Sequence, residues 1–145
     1  MFKHLLIGTD GSPASEKAVA HGLQLAKALA AQVTVVTVTE PWTEGAYATI
    51  PTPSLIKVYE KAAAGSANVI LEGVRTIAEV AGVRCETRHI KEQHAAEGII
   101  KAAKDQGCDL IIVGSHGRGA LGRILLGSTS LKVLTLSPVA ILVCR

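Results

Sequence analysis

Aromatic side chains are scarce: one Trp, one Phe and two Tyr make up 3% of the 145 residues. Since 48% of the chain is apolar, its core must be built from Val, Ile, Leu and Ala. That composition favours buried parallel strands covered by Ala-rich helices. Cysteine is equally sparse. Cys85, Cys108 and Cys144 are odd in number and far apart, which excludes a disulfide framework and a metal-ligand spacing. Their free thiols point to a reducing, cytoplasmic setting. No run approaches the roughly 20 apolar residues of a membrane span. The segment from Phe2 to Gly8 is too short, and too soon followed by Asp10, for a signal peptide. The net charge of +3 is spread thinly, with no basic cluster interleaved with aromatics, so nucleic acid is excluded as a partner. Internal repeats and low-complexity tracts are missing too. A length of 145 residues suits one domain, 1–145, with a real core.

What the chain does have is alternation of β-type and helical segments. Strand one reads as His4–Thr9, and Ser12 as the N-cap of a helix with Pro13 in its first position. Val19, Gly22, Leu23, Ala26 and Leu29 give that helix an apolar face. Strand two is Val33–Val38. A connector from Glu40 to Ser54 follows, broken by prolines and Gly45. The spacing predicts a helix over Leu55–Ala81, burying Ile70, Gly73, Val74, Ile77 and Ala81 and stopping at Gly82. An edge strand over Val83–Ile90 comes next, then a helix over Gln93–Lys104 that buries Ala96, Ile99, Ile100 and Ala103. Strand four is Leu110–Val113, a last helix follows Ser128, and strand five is Val139–Cys144. The pattern predicts an α/β fold: a doubly wound five-stranded parallel sheet, order 3-2-1-4-5, with helices on both faces. Ligands of such sheets sit where the strand order reverses, here between strands one and four.

Two signals converge on that point. Asp10-Gly11 follows strand one, and a glycine-rich stretch, Gly114 to Gly127, follows strand four. The stretch contains no acidic residue and leads into Ser128-Thr129-Ser130 at a helix start. Glycines let backbone N–H groups approach an anion, and a helix N-terminus adds donors and positive dipole. Arg118 and Arg123 add cationic charge. The chemistry reads as a phosphate cradle, hence a nucleotide site.

Generic nucleotide motifs fit poorly. Gly117-Arg118-Gly119-Ala120-Leu121-Gly122 matches G-x-G-x-x-G but does not open the first βα unit, and no acid for a ribose follows it. Gly122 to Ser128 resembles a P-loop without its lysine. The longer spacing fits better: Gly114, two residues, Gly117, nine residues, then Gly127-Ser128. Together with Ile7-Gly8-Thr9-Asp10-Gly11-Ser12, it resembles the ATP-binding signature of the universal stress protein family, over nearly the whole chain. In ATP-binding members, the resemblance implies, residues matching Gly8 and Asp10 line the adenosine end. Val38 would meet adenine through its backbone. Gly114, Ser115, His116, Gly117, Arg118 and Gly119 would wrap ribose and phosphates, and Gly127, Ser128 and Thr129 would hold the phosphate tail. Asp10 could instead cap helix one, or help hold Mg²⁺ through water. Trp42 and Tyr47 sit in the connector, as a lid or an ordinary crossover.

The expected function is a nucleotide-dependent switch or sensor in stress response. Two alternatives stay open: slow ATP hydrolysis or self-phosphorylation at Ser128 or Thr129, and a protein-interaction module of the same fold that binds no nucleotide. Efficient phosphoryl transfer needs metal ligands, a positioned nucleophile and strong counter-charge, and only Asp10 and two arginines are evident. The last strand is apolar and uncharged until Arg145, and it falls at a sheet edge. Such an edge is usually covered, and the family resemblance implies pairing across a two-fold axis, so a homodimer is expected.

Overall fold

Short strands and helices alternate along the chain. The elements are β1 (His4–Gly8), α1 (Pro13–Leu29), β2 (Gln32–Thr39), α2 (Pro53–Ala81), β3 (Cys85–Lys91), α3 (Ala95–Gln106), β4 (Leu110–Gly114), α4 (Ser128–Leu136) and β5 (Ala140–Cys144). They come from a computed structural model that describes residues 1–42, 50–116 and 126–145. All pairings are parallel, in the order β3-β2-β1-β4-β5. This is the doubly wound sheet read from the sequence.

Two apolar layers hold it. On one face Val19 and Leu23 of α1, with Leu71 and Val74 of α2, pack on Leu5, Ile7, Val33, Val35 and Ile112. On the other, Ile99 and Ala103 of α3 and Val133 of α4 pack on Leu6, Val36, Ile111 and Val113. Alternate residues of β1 thus serve opposite faces, as the pleat requires.

Local chemistry sets the helix ends. The Ser12 hydroxyl accepts the Ser15 N–H at 3.3 Å, and Pro13 occupies the first turn, where a missing N–H costs nothing. Thr52 and Pro53 repeat the device at α2, which Gly82 ends at φ +70°, a left-handed conformation that glycine adopts freely.

Several expected boundaries and faces shift. Helix α2 buries Ala67, Leu71, Val74 and Ala78, while Gly73 is exposed and Ile77 is 48% exposed. The reason is that α2 carries apolar residues on two opposite sides, so its periodicity fits more than one face. Helix α3 starts at Ala95, after Glu92 takes a positive φ of 56°. There Ala102 is buried and Ile100 only half so. In α1, Leu29 is also half-buried. Val83 precedes β3 and packs against the core from outside the strand.

The two sheet edges differ. Along β3, Glu86, Arg88 and Lys91 are exposed, with Glu86 and Arg88 ion-paired at 3.6 Å. On β5 the exposed residues are Ala140 and Leu142, and the strand carries no charge.

Asp109 ties the start of β1 to the start of β4. Its carboxylate accepts the N–H groups of Lys3 at 2.8 Å and His4 at 3.1 Å. Desolvation opposes its ionisation, but these backbone donors outweigh it and hold the carboxyl below its usual pKa. A carboxylate with a depressed pKa stabilises the fold above its unfolded-state pKa, and that stabilisation is lost as pH falls through the folded value. Asp109→Asn should therefore flatten the stability profile below about pH 4, read by urea midpoints across the acid range.

Candidate functional site

The turn after β1 is locked by short polar side chains. Ser12 N–H donates to Asp10 Oδ1 at 2.9 Å, and Gly11 takes a positive φ of 78°. Thr9 and Ser15 hydroxyls lie 2.9 Å apart, and Ser15 Oγ also accepts the Asp10 N–H at 3.3 Å. Asp10 thus braces the turn, and the cap of α1 is Ser12. This decides between two of the roles left open for Asp10: it is not the helix cap.

Gly114, at the end of β4, lies directly against the first turn of α1. A Cβ there would stand 2.9 Å from the carbonyl carbon and oxygen of Ala14. Only glycine lets these two segments touch. Beyond it, Ser115 N–H donates to the Cys144 carbonyl at 2.7 Å, and Gly127 N–H donates to the Ser115 carbonyl at 2.8 Å. The buried Ser130 hydroxyl donates to the Gly114 carbonyl at 2.6 Å. The chain that leaves β4 and the chain that enters α4 are therefore fastened together at the sheet's switch point.

The result is a crevice of about 100 Å³ between the ends of β1 and β4. Gly8, Asp10, Val38, Gly114, His116 and Thr129 of the expected set line it together. Ser115, Gly127 and Ser128 are not among its lining residues; Ser115 and Gly127 serve the backbone clasp just described. Gly117, Arg118 and Gly119, with Arg123 and Tyr47, lie outside the described residues. Sequence reasoning missed the apolar wall of Val36, Ile99 and Val113, and the hydroxyls of Thr9 and Ser15; Ser130, part of the expected Ser-Thr-Ser helix start, lines the crevice too. The walls carry no motif, since any buried strand or helix offers such residues. The hydroxyls were readable as a polar cluster around Asp10.

At Asp10 and Val38 the crevice meets a larger hollow of about 420 Å³ between β2 and α2, which includes Thr39, Tyr59 and Ser66. Together they form a concave path with an apolar floor and convergent polar groups, the usual make-up of a small-molecule site. Helix α4 begins there with Ser128, Thr129 and Ser130 and has no acidic residue in its first turn. Gly127 at its cap offers no side-chain acceptor, so the first-turn N–H groups and the positive dipole end suit an anion. Ser115 Oγ and His116 Nδ1 are 3.0 Å apart, which orients the imidazole at the rim.

Other chemistries find little support. Burial pushes the thiols of Cys85 and Cys108 up to about 11 and also raises that of Cys144, so none is a ready nucleophile. Among the described residues no group of three or more His, Cys, Asp or Glu could hold a metal ion, and no helix is long and apolar enough to cross a membrane. Trp42 packs edge-on against Tyr59 with ring centroids 5.4 Å apart, and Tyr59 donates to the Glu40 carbonyl. That part of the connector rests on α2.

Comparison with known proteins agrees with the geometry. The universal stress protein family profile matches residues 1–145. The chain is 33% identical to universal stress protein YxiE of Bacillus subtilis, with both chains fully covered. It superimposes on the structure of protein MJ0577 with a TM-score of 0.86 at 28% identity, covering 99% of this chain and 96% of that one. A universal stress protein in complex with cAMP matches with a TM-score of 0.70 at 25% identity, covering 99% and 97% of the two chains. The chain belongs to the universal stress protein family.

Proposed function

We propose that the crevice binds an adenine nucleotide, ATP, and that the protein works as a nucleotide-dependent switch or sensor in stress response. One observation carries the reading: the ends of β1 and β4 and the acid-free first turn of α4 converge on one hollow at the point where the strand order reverses. The cAMP-bound relative supports an adenine nucleotide as the ligand class. In this reading Gly8, Asp10 and Val38 receive the nucleoside. Gly114, His116 and Thr129, with the flanking Ser115, Gly117, Arg118, Gly119, Gly127 and Ser128, receive ribose and phosphates. The alternative role for Asp10, in place of a nucleoside contact, is to help hold Mg²⁺ through water. Such a ligand would bridge elements packed on opposite faces of the sheet, so occupancy can shift how firmly those faces are joined.

Denaturing the purified protein and identifying released small molecules tests this. Recovery of ATP or AMP is the expected result; a protein that neither carries nor takes up adenine nucleotide belongs to the non-nucleotide alternative. Turnover should be weak, because Asp10 is the only carboxylate and no lysine or arginine is present among the described lining residues. Phosphate release should therefore stay near background and be no lower in Asp10→Ala. A fast, Asp10-dependent release would make the protein an enzyme.

We further propose a homodimer paired through β5, whose uncharged outer face would be covered by its twin. Leu142→Arg should convert a dimeric mass in light scattering at micromolar concentration into a monomeric one.

A further inference from the structure

Helix α2 is apolar twice. Opposite its core face runs a second stripe: Val58, Ala62, Gly65, Val69, Gly73, Thr76 and Val80, all exposed and none charged. Val58, Val69 and Val80 are 65%, 73% and 86% exposed. The steps alternate between four and three residues, as in helix–helix seams, with an extra four at the centre. Gly65 and Gly73 lie inside the helix, where glycine is a poor residue, and a Cβ on either would meet nothing within 4 Å. Among the described residues, no packing within the chain accounts for them.

The stripe is symmetric about Val69. Residues equally distant from it on either side correspond: Gly65 with Gly73 and Val58 with Val80 are identical, and Ala62 stands opposite the larger Thr76. A surface that is its own mirror along the helix axis suits an antiparallel copy of itself, the arrangement of an isologous two-fold contact. Charge agrees with this. On one flank of the stripe the first half of α2 carries Lys57 and Lys61, and the second half carries Glu72 and Glu79, with Arg75 ion-paired to Glu72. In the antiparallel pair, Glu79 of one copy falls level with the gap between Lys57 and Lys61 of the other. A parallel pair would set this flank against the opposite one, which carries Tyr59, Ser66, Ile70 and Ile77 and no charge, so the match would be lost.

We infer that the outer face of α2 is a second self-association surface, on which a second copy of this chain docks antiparallel about Val69, the two glycines letting the backbones approach closely. The contact is one helix wide and about 33 Å long from Val58 to Val80. It is therefore small, transient and weakened by salt.

Cysteine cross-linking of the full-length protein tests the geometry. Val69→Cys sits on the two-fold and should give a disulfide dimer under mild oxidation at least five-fold above both the unsubstituted chain and Lys57→Cys. Copies of residue 57 would lie about 36 Å apart in the antiparallel pair. In the Val69→Cys background, Lys57→Glu/Lys61→Glu and Glu79→Lys should each cut cross-linking several-fold, and mixing the two should restore it. Equal cross-linking at 57 and 69, none at 69, or no rescue on mixing would overturn the inference. So would binding of the stripe to anionic phospholipid vesicles in place of a second copy.

Discussion

Gly114→Ala should lower folding stability by about 3 kcal/mol, although it adds a single methyl group. The methyl would arrive 2.9 Å from the Ala14 carbonyl carbon and oxygen and 3.1 Å from the Ser15 nitrogen. These are backbone atoms of the first turn of α1, so no side-chain rotation relieves the clash. Either α1 moves off β4 or the end of β4 bends. Both would disturb the Ser130 hydrogen bond to the Gly114 carbonyl and the pairing of β4 with β5. For a chain of 145 residues, a loss of that size lowers Tm by roughly 10 °C. Gly8→Ala makes a useful contrast. Its methyl would meet Ile99 Cδ1 at 2.9 Å, the free end of a side chain that can turn away, so its cost should be much smaller. Equal midpoints for the two variants in urea would show that the contact between β4 and α1 is slack.

The second large effect concerns binding. Gly117→Val should reduce adenine-nucleotide affinity at least 100-fold, about 2.7 kcal/mol, while leaving Tm nearly unchanged. A β-branched side chain at a glycine of the phosphate stretch prevents close approach of backbone donors to the anion. Isothermal titration with ATP on the two proteins measures this directly. Unchanged affinity would remove Gly117, and with it the phosphate role of the whole glycine stretch. Read with Gly114→Ala, the pair tests two uses of glycine after β4: Gly114 admits α1, and Gly117, in the proposed reading, admits the ligand.

The sheet order was legible because four strands are short apolar runs and β3 alternates as an edge does, each separated from the next by a helix, and parallel pairing leaves few windings. The convergence of Gly8, Asp10, Gly114 and Thr129 followed from that winding, since it needs only strand ends and no side-chain detail. Less legible was the division of labour within the stretch. Ser115 and Gly127 fasten backbone to backbone, and nothing in their residue types distinguishes such a clasp from a phosphate contact. The wall formed by Val36, Ile99 and Val113 was hidden for a different reason. It joins residues far apart in the chain, and only the packed faces bring them together. The misplaced face of α2 arose because apolar residues on both sides of a helix leave the burial direction undetermined by period alone.

The unlike margins of the sheet carry one more consequence. Along β3, Glu86, Arg88 and Lys91 put charge in the path of any strand that would dock there, whereas β5 offers a neutral border. A ribbon that can be lengthened from one side only cannot grow into a fibre: two molecules that meet along their neutral borders leave only guarded ones outward. Glu86, Arg88 and Lys91 thus work against strand addition at β3, and replacing all three with uncharged residues should be felt as turbidity rather than as a change in fold.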